Sequence, residues 1–205
     1  MDNAVLALED GSIFQGLAIG AIDQSEYTCG EVVFNTSMTG YQEVISDPSY
    51  CEQLIMFTAP HIGNVGVNQE DSESNNIKKI WSKGIILKSL SLTPSNWRSE
   101  DSLNNYLIQN SIIGITNIDT RSLAIALREK GAMRGCIHIV KDSTKLDELK
   151  NKAVSLAKNH RSLENLDLAK VVSVTKSYDY NQHTKSKSQS KNKYNIIHDA
   201  IKIRA

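Results

Sequence analysis

Three cysteines, Cys29, Cys51 and Cys136, are the side chains of this sequence best suited to nucleophilic chemistry. Their number is odd, they are widely spaced, and no CxxC pair occurs, so neither a disulfide framework nor a metal site is expected of them. The plainer reading is free thiols, buried or half-buried. Cys51 and His61 invite comparison with a thiol and its base. However, no third orienting group and no strand-to-helix nucleophile turn accompanies them, and Cys51 falls at the start of a strand. Asp119 and Arg121, at a helix start, read as a cap and a surface pair. The remaining polar candidates sit in glycine- and proline-marked loops. They are Thr36, Ser37 and Thr39, then Ser49 within Asp47-Pro48-Ser49-Tyr50, then Asn64 within Pro60-His61-Ile62-Gly63-Asn64-Val65-Gly66. Gly40, Gly63 and Gly66 permit backbone conformations closed to other residues, and Pro48 fixes its own φ and biases Asp47 away from helix. Small polar residues at such turns either satisfy the turn itself or point hydroxyls and N–H groups into a groove.

The elements that hold these loops can be read from periodicity. Ala4–Leu8 and Ser12–Gly16 flank Glu9-Asp10-Gly11 and form a β-hairpin, because Asp-Gly tolerates the positive φ of a tight turn. Glu31–Asn35, Gln53–Thr58 and Ser82–Leu87 are further strands. Past residue 90 the period changes. Ser99 is expected to cap a helix carrying Leu103, Tyr106 and Leu107, and Ile112–Ile115 is a short buried strand. Asp119-Thr120 opens a helix with Leu123, Ala126 and Leu127 on one stripe and Gly131 as a left-handed C-cap. Arg134–Val140 is a strand. A last helix from Ser143 presents Leu146, Leu149, Ala153, Leu156 and Ala157 on one side. The expectation is an α/β fold: a layered β/β/α-type single domain, mostly β in its first half and α/β alternating after it, with a flexible C-terminal tail.

Composition narrows the function classes. Residues are 40% hydrophobic and 22% charged, enough apolar surface to build a core. Basic and acidic residues number 23 each, so no overall field attracts nucleic acid or an anionic membrane. Met1-Asp2-Asn3 is unlike the basic start of a signal peptide, and no apolar run approaches the roughly 18 residues of a membrane span, so a cytoplasmic protein is expected. His183–Lys193 holds no apolar residue and reads as a linker, and Tyr194–Ile197 as the beginning of another strand.

Asn35-Thr36-Ser37-Met38-Thr39-Gly40-Tyr41-Gln42-Glu43, Asp47-Pro48-Ser49-Tyr50 and Pro60–Gly66 closely resemble the N-terminal domain of the carbamoyl-phosphate synthase small subunit. The resemblance extends through Gly11–Gly16, Asp119-Thr120-Arg121, Arg128–Ala132 and Asp167-Leu168-Ala169, in order, over roughly residues 4 to 175. It implies a domain at 1–175, a Lys/Ser-rich linker at 176–193, and at 194–205 a vestigial start of a class I glutamine amidotransferase domain. It also implies a small subunit that hydrolyses glutamine and delivers ammonia to a large subunit, the enzyme making carbamoyl phosphate for pyrimidine and arginine synthesis. ATP and metal are then expected only on that large subunit. By motif match Ser49 is the residue that reaches glutamine, with L-glutamine bound only where an amidotransferase domain is supplied. No Gly-x-Cys-x-Gly element occurs, so no catalytic residue is assigned and the chain alone is expected to lack glutaminase activity. The alternative is a truncated, inactive interaction module that only docks to the large subunit.

Overall fold

The computed structural model describes residues 2–73 and 80–173. The linker and vestigial-strand assignments, and the flexible tail, lie outside the described residues. Residues 1–166 form one compact unit, and a second unit runs from Asp167, within which the short helix α5 (Leu168–Val172) is capped by Asp167 through Lys170 N–H.

Seven strands among the described residues build the first unit: β1 (Asn3–Leu8), β2 (Ile13–Gly20), β3 (Tyr27–Asn35), β4 (Gln53–Phe57), β5 (Gly84–Ile86), β6 (Ile113–Thr116) and β7 (Met133–Val140). They close into a barrel in the order β1-β2-β6-β5-β4-β3-β7. The expected hairpin is present, with Leu6 opposite Phe14 and Ala7 opposite Ile13. At its turn Gly11 has φ +94°, and Asp10 Oδ1 accepts the Ser12 N–H. Neighbours β3, β4, β5 and β6 run parallel, while β7, β1 and β2 join antiparallel and close the ring. The α/β expectation is met, its layers taking the form of a sheet closed on itself with helices outside.

Alternation along the strands explains the core. Leu6, Leu8, Leu54, Met56, Ile86, Ile113, Ile115, Ile137 and Ile139 point inward, joined by Leu123 and Leu127 of α3 (Thr120–Lys130). Ile55, Phe57, Ile85 and Leu87 point outward and are covered by Tyr41 and Ile45 of α1 (Tyr41–Ser46) and by Leu103 and Leu107 of α2 (Leu103–Gln109). Val5, Ala7 and Val140 are covered by Leu146, Leu149 and Ala153 of α4 (Leu146–Asn159). Strands buried on both faces explain why β1 and β4 read as continuous apolar runs.

The helix starts refine the expectations. Ser102, not Ser99, caps α2 by accepting Asn105 N–H at 3.2 Å; the Ser99 hydroxyl instead donates to Asp101 C=O. Asp119 caps α3 through Ser122 N–H and also accepts from the Ser122 hydroxyl at 2.6 Å. Gly131 has the expected positive φ, +85°, but its ψ of −174° places it in an extended glycine-only region rather than the left-handed well. Ser143 lies in a 3-10 turn that leads into α4 at Leu146.

Candidate functional site

Parallel strands cannot be joined by a tight turn, so the passage from β3 to β4 needs a crossover. It is made from the motif residues. Beyond Asn35, whose Oδ1 accepts Ser37 N–H, the chain turns at Gly40 with φ +76° and enters α1. Asp47 ends α1 and begins the 3-10 turn Pro48–Tyr50, its Oδ1 accepting Ser49 N–H at 2.8 Å. Pro48 occupies the first position of that turn, where its missing N–H is no loss. Tyr50 Oη accepts from Asn35 Nδ2 at 2.9 Å, tying the end of the crossover to its start.

Ser49 is therefore held by its backbone, and its side chain is exposed. Its hydroxyl is not needed for the turn's Asp47–Ser49 hydrogen bond, which uses the Ser49 N–H.

The loops that follow β4 and β5 brace the crossover. The Tyr41 hydroxyl donates to Gly66 C=O at 2.5 Å, and burial pushes that phenol up to about 12, so it is a proton donor at neutral pH. Gln42 pairs with the Asn68 backbone in both directions, at 2.6 and 3.0 Å. Ile62 and Ser89–Ser91 exchange backbone bonds, Ser95 N–H donates to Asn64 C=O, and Val67 pairs with Asp101. Gly66, at φ +68°, leaves no room for a side chain: a Cβ there would lie 2.0 Å from Ser99 Oγ. Arg98 clamps the far side through Asp71 at 2.7 Å and Glu70 at 3.3 Å.

Of the other candidates, Cys51 is buried just before β4 while His61 is exposed on the loop after it. Asn64, Thr36, Ser37 and Thr39 are exposed loop residues. The Asp119 carboxylate is engaged by Ser122, whose hydroxyl and N–H hold it below the usual carboxylate range. A cleft of about 480 Å³ lies beside the crossover, lined in part by Gln42, Val67, Asn68, Asp101, Tyr106 and Gln109, and does not include Ser49. Among the described residues no three His, Cys, Asp or Glu side chains are grouped to hold a metal ion, and no helix is long and apolar enough to cross a membrane.

Two features escaped the sequence reading. The first is α1, hidden because only Tyr41 and Ile45, one turn apart, carry a helical signal within a stretch dominated by turn residues. The second is the placement of Cys29 directly opposite Cys136 on β3 and β7, which only strand register reveals.

The motifs that carry the carbamoyl-phosphate synthase small chain resemblance lie in the crossover from β3 to β4 and in the loop that follows β4. Residues 6–137 match the family described as carbamoyl-phosphate synthase small chain, CPSase domain, and the chain belongs to that family. Proteins named carbamoyl phosphate synthase small chain are close relatives. That of Ralstonia nicotianae is 49% identical over 87% of this chain and 44% of its own length. That of Acinetobacter baylyi is 45% identical over 95% and 50%, and that of Buchnera aphidicola 51% identical over 87% and 43%. The chain thus spans half or less of the relatives' length.

Proposed function

We propose that this chain serves as the N-terminal domain of the small subunit of a cytoplasmic, glutamine-dependent carbamoyl-phosphate synthase. In that role it docks to the large subunit and offers Ser49 to a glutamine site completed by an amidotransferase domain. The observation that carries the reading is Ser49: exposed, on a turn fixed by Asp47 and Pro48, within a chain whose family is that of the small subunit. Carbamoyl phosphate made by such an assembly would feed pyrimidine and arginine synthesis, with ATP and metal held by the large subunit.

The docking half draws on surface composition. The loops leaving the C-terminal ends of β3, β4 and β5 expose Met38, Val65, Leu92 and Trp97, and Trp97 is 91% exposed. Large apolar side chains left exposed on the loops of one arc are the kind of surface a protein partner covers. Co-purification of the chain with a bacterial carbamoyl-phosphate synthase large subunit tests this. A complex is expected, weakened by Trp97→Ala by about 2 kcal/mol, or roughly 30-fold, if Trp97 anchors it. Separate elution of two folded proteins at tens of micromolar would refute the docking role.

The placement of the cysteines favours a narrower second reading, a module that docks without turning over glutamine. Cys29 and Cys136 sit within strands and Cys51 is buried, so none stands on the exposed turn an acyl-forming thiolate needs. Ammonia release from glutamine, measured with and without the large subunit, separates the two readings.

A further inference from the structure

Antiparallel register makes Cys29 of β3 the direct partner of Cys136 of β7. The hydrogen-bond phase along this ladder is set by Ile139 N–H donating to Glu26 C=O. Hydrogen-bonded pairs alternate with non-hydrogen-bonded ones, so Thr28/Ile137 is a bonded pair and Cys29/Cys136 an unbonded one. In unbonded pairs the Cα atoms approach to roughly 4.5 Å, within the span a disulfide bridges. The Cys136 thiol donates to Ile137 C=O at 3.9 Å, and the proximity of the two thiols holds Cys29 below its ordinary value and pushes Cys136 up.

Access is one-sided. Cys136 is fully buried under α4, whereas Cys29 is half-exposed and lines a cleft of about 470 Å³ with Lys83, His160 and Arg161. Lys83 and Arg161 converge there on Glu52, at 3.1 and 3.2 Å. The cleft admits a small reagent to the outer cysteine and leaves the inner one reachable only through it.

We propose that Cys29 and Cys136 form a redox-active pair that closes to a cross-strand disulfide by exchange with a small-molecule disulfide. The Cys29 thiolate attacks one sulfur of the small disulfide, forming a mixed disulfide and releasing one thiolate, which takes up a proton. Cys136 then gives up its proton and attacks the Cys29 sulfur, expelling the second small thiol. The two protein thiols lose two electrons and two protons, and the small disulfide gains them. The new bond links β3 to β7 and encloses most of the barrel sequence, so the oxidised chain should unfold at a higher temperature.

The full chain treated with oxidised glutathione under native conditions, then blocked and mapped by mass spectrometry, tests this. The expected product is a Cys29–Cys136 cross-link, two hydrogens lighter, with Cys51 unmodified. Cys136→Ala should leave a lasting glutathione adduct on Cys29, and Cys29→Ser should leave Cys136 reduced. A persistent adduct on Cys29 in the unaltered chain, a cross-link involving Cys51, or oxidation of Cys136 in the Cys29→Ser variant would each overturn the proposal, as would an oxidised chain that melts no higher than the reduced one.

Discussion

The barrel has two unlike halves. The antiparallel arc β7-β1-β2 is simply built: β1 and β2 turn into one another across Asp10-Gly11, α4 covers the outward sides of β7 and β1, and α2 covers Ile19 of β2. The parallel arc β3-β4-β5-β6 cannot be joined by tight turns. Its connections carry α1, α2, the Ser49 turn and the braced loops at residues 60–73 and 87–101. Both arcs bury apolar side chains on both faces, so core packing does not distinguish them. What differs is how much irregular backbone each must stabilise, and the candidate site lies where that burden is greatest.

The sharpest way to break the comparison is to place one methyl group in each half. Gly66→Ala meets both a φ of +68° and a Cβ position 2.0 Å from Ser99 Oγ and 2.9 Å from the Asp101 carbonyl. It should destabilise the unit by about 3 kcal/mol through strain and overpacking together. Gly11→Ala, at φ +94° with nothing within 4 Å, meets strain alone and should cost about 1 kcal/mol. Denaturant unfolding at equal slope measures both, and equal losses would show that the loops of the parallel arc are no more tightly built than the hairpin.

Next in size is Tyr41→Phe. The variant keeps the buried ring and strands the Gly66 carbonyl, so about 1–2 kcal/mol should be lost. The same change should raise amide exchange in residues 60–67 more than in β1, because the lost bond braces only the loop. Uniform exchange across both arcs would remove the distinction between them.

How far these halves were legible in the sequence follows from the same contrast. The hairpin could be read because Asp10-Gly11 is a local signal and its strands pair with their sequence neighbours. The helices α3 and α4 were visible as stripes of Leu and Ala. The closure of the barrel was not, since it depends on β7 meeting both β1 and β3, pairings more than a hundred residues apart in the chain. Ser49 was singled out by motif alone; its exposure and its backbone tether needed Asp47 and Tyr50 placed in space. The Cys29–Cys136 pair has no sequence signature at all, because register is a property of the sheet.

A smaller effect is expected where the arcs meet, at Glu52. This residue has φ +67° and holds Lys83 and Arg161. Burial alone would raise its carboxyl, but the hydrogen bonds and charges of those two cations prevail and hold it below its ordinary value of 4.5. A depressed folded-state pKa stabilises above the unfolded value and loses that contribution as pH falls through the folded one. Glu52→Gln should therefore lower stability at neutral pH by at most about 1 kcal/mol, since both cations are substantially exposed, and should match the unaltered chain at pH 2. A difference that persists undiminished at pH 2 would assign the effect to the packing of the side chain rather than to its charge.

The smallest stability effect belongs to Ser49, and it is the most informative about function. Its contribution to the turn is the N–H that Asp47 accepts, which Ser49→Ala retains; its side chain faces solvent. Melting should therefore change by less than about 0.5 kcal/mol, as for surface positions generally. The proposed role lies elsewhere, in one hydrogen bond toward glutamine in a small subunit that also contains an amidotransferase domain. Removing one such bond, worth about 0.5–1.5 kcal/mol, should weaken apparent glutamine affinity roughly two- to tenfold. The expected profile is an unchanged melting curve beside a raised KM for glutamine. Unchanged kinetics together with a large loss of stability would instead make Ser49 a structural part of its crossover, and the proposed contact with glutamine would fall with it.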